Sequence, residues 1–214
     1  GTTGSIIFQE LAANFALYST AALVGILMVL IGFFFKMSII PFHMWAPDIY
    51  QGAPTPITAL LATASKTAAV AALIRVLFMA FAIVKIYWLP VLILLSTLSM
   101  IGGNLMALRQ TNVKRLLAYS SIAQAGYMLI GIIAADAAGI KGVLFYTLIY
   151  IIANIGAFSV LIAVDKNYGE AEFSTIAGLG QRAPLLAAVL TISLLSMAGI
   201  PPMAGFVGKL YLFT

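Results

Sequence analysis

The feature that most limits how this chain folds is a series of apolar segments, each long enough to cross a lipid bilayer. A transmembrane helix needs about 20 mainly apolar residues. Backbone N–H and C=O groups find no hydrogen-bonding solvent in hydrocarbon, so each spanning segment must satisfy them as a helix. We predict six such helices, at residues 15–40, 56–82, 87–108, 113–135, 141–164 and 183–213.

The composition agrees with a membrane environment. Of the 214 residues, 63% are hydrophobic and 8% are charged, whereas soluble domains contain about 25% charged residues. A soluble fold leaves too many side chains at its surface to hide so much apolar area. We therefore predict an all-α membrane protein in which residues 1–214 form a single transmembrane domain surrounded by the lipid bilayer.

The rare residue types exclude several classes of binding site. The chain has no cysteine and one histidine, so it cannot by itself supply a thiolate-ligated iron–sulfur cluster or a bis-histidine haem. It also lacks a G-x-G-x-x-G motif and a phosphate-binding loop. The net charge of +5 comes from a few spread bases, which membrane topology explains better than nucleic-acid binding does. We predict no bound cofactor and no nucleic-acid partner.

The basic residues of the connections predict an orientation. One side of the predicted bundle carries Arg109, Lys114, Arg115, Lys166 and Arg182, whereas the other carries Lys85 and Lys141, with Arg75 near its helix end. The positive-inside rule places the first side in the cytoplasm, or in the matrix of an organelle. The predicted location is the bacterial plasma membrane, with an organellar inner membrane as the alternative.

Two of the apolar segments contain prolines, which predict broken helices. Pro41 interrupts the first segment, and Pro201 and Pro202 interrupt the last one. Proline removes a helical hydrogen-bond donor and clashes with the preceding turn. A break at membrane depth survives only inside protein or beside a water-filled cavity. Interrupted helices at matching positions of two halves are therefore typical of a transport site.

Three lysines, Lys36, Lys66 and Lys209, lie within or beside these apolar segments. A charge at the bilayer centre costs about 2.5–3.5 kcal/mol even on the mildest insertion scale. Desolvation favours the neutral amine, and a lysine that exists in both states can accept and release a proton. We interpret the three as proton-transfer groups. The alternative is that their long side chains reach out to the membrane interface.

Other polar residues near these lysines are candidates for a supporting role. Those on the fourth helix form a stripe that either continues a wet pathway toward Lys66 or joins helices by hydrogen bonds. The single histidine either accepts a proton or packs the first helix break. The candidates are His43, Asp48, Ser65, Tyr119, Ser121 and Gln124.

Three long blocks of the sequence, in order, resemble one known family. They read FKMSIIPFHMWAPDIYQGAPTPITALLATASK, GNLMALRQTNVKRLLAYSSIAQAGYMLIG and LSMAGIPPMAGFVGKLYLF. They resemble the antiporter-like subunits in the membrane arm of respiratory complex I, the NADH–quinone oxidoreductase. The blocks cover most of the chain from about residue 30, and their details resemble the subunit N type more than the L or M types.

The resemblance implies an antiporter-like fold of two inverted helical repeats, each with one broken helix. Residues 15–82 then correspond to the end of the first repeat and residues 87–214 to most of the second, as expected for a fragment. Lys36, Lys66 and Lys209 match the family's lysines at the first break, on the next helix and at the second break.

The resemblance also implies a function and partners. The expected function is proton translocation, driven by quinone reduction in partner subunits, without a redox site in this chain. NADH, FMN, iron–sulfur clusters and quinone are then held by other subunits, and the other membrane-arm subunits are the expected partners. The alternative function is a subunit of a multisubunit cation/proton antiporter, and a third is a purely structural membrane spacer.

The sequence departs from the family pattern at two points. The family has a glutamate on an earlier helix that pairs with the lysine matched by Lys36, and Glu10, in the entry segment, does not replace it. Gln124 also stands where some relatives carry histidine. The partner of Lys36 and a titrating group at position 124 are therefore not predicted from this chain.

Overall fold

A computed structural model describes residues 7, 8, 10 and 20–214 of the chain. The prediction of an all-α protein is confirmed, because the secondary structure of this part consists of helices plus an isolated bridge between Asn112 and Glu172. The helices are α1 (Thr20–Met37), α2 (Trp45–Gly52), α3 (Thr55–Ala80), α4 (Ala82–Ala107), α5 (Val113–Ala134), α6 (Ala137–Asn167), α7 (Phe173–Ile176), α8 (Leu179–Arg182), α9 (Pro184–Ala198) and α10 (Ala204–Phe213).

Within the described ranges, four helices, α3 to α6, are long and apolar enough to cross a membrane. The predicted segments at the two ends of the chain contain shorter apolar helices instead, namely α1, α9 and α10. The chain breaks inside both segments, as the prolines predicted: one break ends α1 at Met37, and the other separates α9 from α10. Residues 15–19 of the first predicted segment lie outside the described residues. The helices present large apolar side chains outward, as expected of a surface that faces lipid.

The first break lies between α1 and α2. The helix ends at Met37, and Ser38 adopts a left-handed backbone conformation with φ 59°. The carbonyl of Phe35 accepts from the backbone N–H of Ser38 at 3.0 Å and from the indole N–H of Trp45 at 2.9 Å. Side-chain and turn hydrogen bonds thus replace the helical ones that are lost at Pro41.

The second break lies between α9 and α10. Gly199, with φ 80°, ends α9, and its N–H donates to the carbonyls of Leu195 and Ser196, each at 3.0 Å. The hydroxyl of Ser196 accepts from the N–H of Gly205 at 3.2 Å. The last two carbonyls of α9, those of Met197 and Ala198, accept from side chains instead.

Helix α5 lies at the centre of the fold. It packs along α4 over most of its length and also contacts α2, α6 and α10. The approach to α4 is close at Gly103, where an added Cβ would stand 2.8 Å from the backbone nitrogen of Ala123. Asn112 caps the start of α5, since its side-chain oxygen accepts from the N–H of Arg115 at 3.2 Å. Polar side chains on α5 therefore face several helices at once.

Helix α3 is irregular just before its lysine. Residues Leu61–Ser65 form a π-helical turn that ends next to Lys66. Wide turns of this kind are rare and occur mostly as short bulges, frequently at functional sites. The hydroxyl of Thr63 donates to the carbonyl of Ala59 at 2.7 Å, and that of Thr67 donates to the carbonyl of Thr63 at 2.9 Å.

Candidate functional site

Lys66 lies inside the helix bundle, with 3% of its surface exposed. Its Nζ donates to the backbone carbonyl of Ser121 at 2.9 Å and to the hydroxyl of Ser121 at 2.7 Å. The Ser121 hydroxyl donates in turn to the carbonyl of Ala118 at 2.7 Å. In the described part of the chain, neither of the two ion pairs includes Lys66. The amine is therefore held by neutral oxygens, which accept from it without fixing its charge as a carboxylate would.

Two buried phenols lie beside this pair. Tyr50 of α2 and Tyr150 of α6 both interact with the side chain of Ser121, and Tyr150 also interacts with Asn154. Neither phenol oxygen completes a hydrogen bond of normal geometry within the described residues. The buried polar atoms around Ser121 could thus form more hydrogen bonds than the direct contacts between them use. Such a surplus is typical of a site that binds water.

Gln124 lies about one helical turn beyond Ser121 on α5. Its Nε2 donates to the carbonyl of Met197 at 2.9 Å, and its Oε1 accepts from the hydroxyl of Tyr146. A cavity of about 10 Å³ between α5, α6, α9 and α10 touches Gln124, Tyr146 and Tyr150, which is about the room that one water molecule needs. The Gln124 amide therefore connects α5, the helix that binds Lys66, to the end of α9, where the last carbonyls lack helical partners.

Lys209 of α10 lies at the second break. Its Nζ donates to the carbonyl of Ala198 at 2.9 Å and stands 4.5 Å from the centre of the Tyr127 ring. Gln124 and Lys209 therefore bind consecutive carbonyls at the end of α9. These carbonyls are available because a helix leaves its last C=O groups without helical partners.

Lys36 occupies a different environment. It lies exposed near the end of α1 and borders an open groove of about 540 Å³ between α1 and α3. Ser65, which precedes Lys66 in the chain, lines the same groove. The described structure thus places Lys36 on the outer side of the helix that carries Lys66, and not in the interior with it.

The other predicted site residues divide between two places. Ser121 contacts Lys66 directly, and Gln124 binds the carbonyl next to the one that Lys209 binds. Asp48 is exposed and pairs with Arg115 at 2.6 Å, and Tyr119 also interacts with Arg115. Asp48, on α2, and Tyr119, on α5, thus both meet Arg115 near the start of α5.

His43 and the break prolines lie in the turns that the sequence predicted. His43 is partly buried in the first break, and its Nδ1 is buried without a hydrogen-bond partner among the described residues. Pro41 lies in the same turn, and Pro201 and Pro202 lie between α9 and α10. In the described ranges, no three histidine, aspartate or glutamate side chains cluster closely enough to hold a metal ion.

Sequence reasoning missed a buried ion pair. Lys114 was interpreted as a loop charge, yet it is only 6% exposed, and its Nζ lies 3.7 Å from the carboxylate of Asp165. Asp165 also accepts from the hydroxyl of Thr55 and, at 3.0 Å, from the N–H of Ala171. This carboxylate thereby joins the starts of α3 and α5 to the end of α6. The one signal in the sequence was the pair of adjacent bases at a helix start.

Comparison with known proteins identifies the family. Residues 1–214 match the family described as NADH:quinone oxidoreductase/Mrp antiporter, transmembrane. The chain belongs to this family. It is 52% identical to NADH-quinone oxidoreductase subunit N of Heliobacterium modesticaldum and 50% identical to that of Moorella thermoacetica, in each case over 100% of the chain and 45% of the relative. The chain therefore spans about half the length of these curated relatives.

Solved structures of family members have the same fold. A chain of respiratory complex I from Thermus thermophilus aligns with a TM-score of 0.77 and 37% identity, over 100% of this chain and 45% of that one. A chain of the Mrp complex from Dietzia aligns with a TM-score of 0.89 and 29% identity, over 98% of this chain and 39% of that one. The resemblance to the complex I antiporter-like subunits and the predicted membrane fold are confirmed.

Proposed function

We propose that this chain is part of a proton-translocating membrane subunit of an NADH–quinone oxidoreductase. The observation that carries the proposal is the buried amine of Lys66, bound to the carbonyl and hydroxyl of Ser121. Family membership and about 50% identity to subunit N sequences support it. A buried amine is costly in an apolar membrane domain, and proton transfer gives it a use.

The proposed pathway follows α5 from Lys66 to Lys209. Ser121, Gln124 and Tyr127 succeed one another at three-residue intervals, and the axial rise from the first to the last is about 9 Å. The Ser121 hydroxyl both accepts and donates, so it can take a proton from the Lys66 ammonium when its own proton moves to a water molecule instead of facing the Ala118 carbonyl. The Gln124 amide does not titrate; it orients the Tyr146 hydroxyl and the end of α9. Water in the adjacent cavity then carries the proton toward Lys209.

In this proposal Lys36 is a proton-transfer group that lies outside the interior of the helix bundle. The groove that it shares with Ser65 lies against α3 and reaches the residue next to Lys66. A proton held at Lys36 therefore starts in the groove between α1 and α3, outside the contact between Lys66 and Ser121. His43 lies in the first break and Asp48 lies on α2 directly after it, and both are proposed to support this side.

The driving force is proposed to come from partner subunits. In this account NADH, FMN, iron–sulfur clusters and quinone are bound elsewhere in the complex, and the chain contributes no redox step. Its partners are the other membrane-arm subunits and the surrounding lipid. The proposed location is the bacterial plasma membrane, with the end of the bundle that carries Arg109, Lys114 and Arg115 in the cytoplasm.

A second candidate is a subunit of a multisubunit cation/proton antiporter. The TM-score of 0.89 with the chain of the Mrp complex favours it. The sequence identities favour subunit N, since they are 52% and 50% for the two subunit N relatives named above and 29% for the Mrp chain. We therefore rank the oxidoreductase first.

The test uses the complete subunit, expressed with an affinity tag in a bacterium that carries its gene. The oxidoreductase proposal predicts co-purification with flavin and iron–sulfur subunits, and NADH-driven proton uptake by inverted vesicles that deletion of the gene abolishes. The antiporter alternative predicts sodium/proton exchange that needs no NADH. Cation exchange without flavin-containing partners would overturn the first proposal.

A further inference from the structure

We propose that Tyr127 is a positioning residue for Lys209, and that the face of its ring holds the lysine ammonium at the second helix break. The inference rests on the proposed function, in which Lys209 receives a proton. It adds a residue that the predicted site did not contain and a specific kind of contact, a cation–π interaction.

The geometry places the ammonium between the ring and a carbonyl. The Lys209 Nζ lies 4.5 Å from the centre of the Tyr127 ring and 2.9 Å from the carbonyl oxygen of Ala198. A cation within about 6 Å of an aromatic face is attracted by the negative charge density there. One contact comes from α5 and the other from the end of α9. Together they fix the position of the Lys209 ammonium, which belongs to α10.

The ring of Tyr127 is itself held in place from two sides. The side-chain amide of Asn104, on α4, donates to the Tyr127 hydroxyl at 3.2 Å and to the carbonyl of Met100 at 2.8 Å. Phe213 of α10 packs edge-to-face against the ring, with the centroids 6.2 Å apart. These two contacts restrain the ring with one face toward Lys209, as positioning requires.

Gly199 leaves the space that the lysine side chain occupies. A Cβ at Gly199 would stand 2.8 Å from Cδ of Lys209 and 3.3 Å from its Nζ. The residue also has φ 80°, which glycine adopts at little cost. The end of α9 is therefore shaped to receive the lysine that faces Tyr127.

The ring offers a weaker contact than a carboxylate does. In the part of the chain that the structure describes, the ion pairs join Lys114 to Asp165 and Arg115 to Asp48, and Lys209 joins neither. A carboxylate would hold the ammonium strongly and oppose release of its proton. An aromatic face attracts the charged form but leaves the lysine free to give up the proton, which suits a group that must do both.

The test replaces Tyr127 in the complete subunit of the assembled complex and measures NADH-driven proton translocation. Tyr127→Phe loses the bond to Asn104 but keeps the ring face and its packing against Phe213, and it is expected to retain most of the transport of the parent. Tyr127→Leu removes the face and is expected to slow transport by about 3- to 30-fold. Tyr87→Leu, at an exposed tyrosine of α4, is the matched control.

A series of fluorinated phenylalanines at position 127 separates the ring's charge from its shape. Each added fluorine weakens the negative face while the ring keeps nearly the same size, so transport is expected to fall stepwise with fluorine number. A flat response across the series would overturn the inference, even if Tyr127→Leu failed to assemble. Normal transport by Lys209→Met would instead overturn the proposed role of the lysine, and the inference with it.

Discussion

Lys66 of α3 and Ser121 of α5 are joined by two hydrogen bonds, because the lysine amine donates to both the carbonyl and the hydroxyl of the same serine. The pair links the two helices deep inside the bundle. The carbonyl remains whatever residue stands at position 121, whereas the hydroxyl is specific to serine or threonine. The two contacts can therefore be separated by mutation.

The hydroxyl contact leads to the first prediction. Ser121→Ala keeps the carbonyl contact to Lys66 but removes the group that both accepts and donates, so we expect proton translocation to slow roughly tenfold in an assembled complex. Ser120→Ala is the matched control, since Ser120 is the neighbouring serine on α5 and is only partly buried. Equal rates in the two variants would contradict a role for the hydroxyl. Transport is measured with a pH-sensitive dye in inverted vesicles.

The amide of Gln124 leads to the second prediction. Gln124→Leu leaves the buried Tyr146 hydroxyl and the Met197 carbonyl without partners, at about 1–3 kcal/mol for each unsatisfied group. Gln124→His should be tolerated, because a neutral imidazole has one donor and one acceptor. We expect less assembled complex on native gels for the leucine variant and normal amounts for the histidine variant. Equal loss in both would show that the donor–acceptor pattern does not matter.

The close fit of Gly199 against Lys209 leads to the third prediction. Gly199→Ala adds a methyl group where the lysine side chain lies, and it also places alanine at φ 80°. Gly169→Ala is the matched control, because Gly169 has φ 97° but nothing lies within 4 Å of its added Cβ. Each variant carries a backbone cost of about 1 kcal/mol. We expect proton translocation to fall only in Gly199→Ala, and a similar fall in both would assign the effect to the backbone alone.

The buried pair of Lys114 and Asp165 leads to the fourth prediction. Asp165→Asn leaves the lysine buried without its counter-charge, and we expect a loss of about 1–3 kcal/mol because the carboxylate is partly exposed. Replacing both residues, as in Lys114→Met with Asp165→Leu, removes the unpaired charge and should recover part of the loss. Thermal inactivation of the purified complex measures both effects. A double variant less stable than Asp165→Asn would contradict this account of the pair.

The sequence predicts the membrane fold and the two breaks because length, apolarity and proline act locally. The extents of the helices at the ends of the chain depend instead on the turn conformations at Ser38 and Gly199. The sequence indicated the polar stripe on α5 and left two interpretations open, a wet pathway and a set of hydrogen bonds that join helices. Ser121 accepts from Lys66 of α3, and Gln124 accepts from Tyr146 of α6 and donates to Met197 of α9. These hydrogen bonds join helices, and the wet pathway stays a prediction.

Side-chain direction limited the rest of the site prediction. Lys114 and Arg115 are adjacent in the chain, yet one points to Asp165 at the end of α6 and the other to Asp48 on α2. The positive-inside rule assigns Lys114 and Arg115 to the same side of the membrane, but it does not show that they bind different partners. Tyr127 belongs to the polar stripe on α5 that the sequence indicated, but its contact with Lys209 was not predicted, since that contact depends on the position of α10.

The most direct test of the central claim, that the buried lysine of α3 carries protons, compares Lys66→Ala with Lys85→Ala in the complete subunit. Lys85 is exposed near the start of α4, so Lys85→Ala measures the effect of losing a lysine outside the site. NADH-driven proton translocation is measured in vesicles that contain equal amounts of assembled complex. We predict a fall of at least about tenfold for Lys66→Ala and a normal rate for Lys85→Ala. Normal translocation by assembled Lys66→Ala complex would contradict the account.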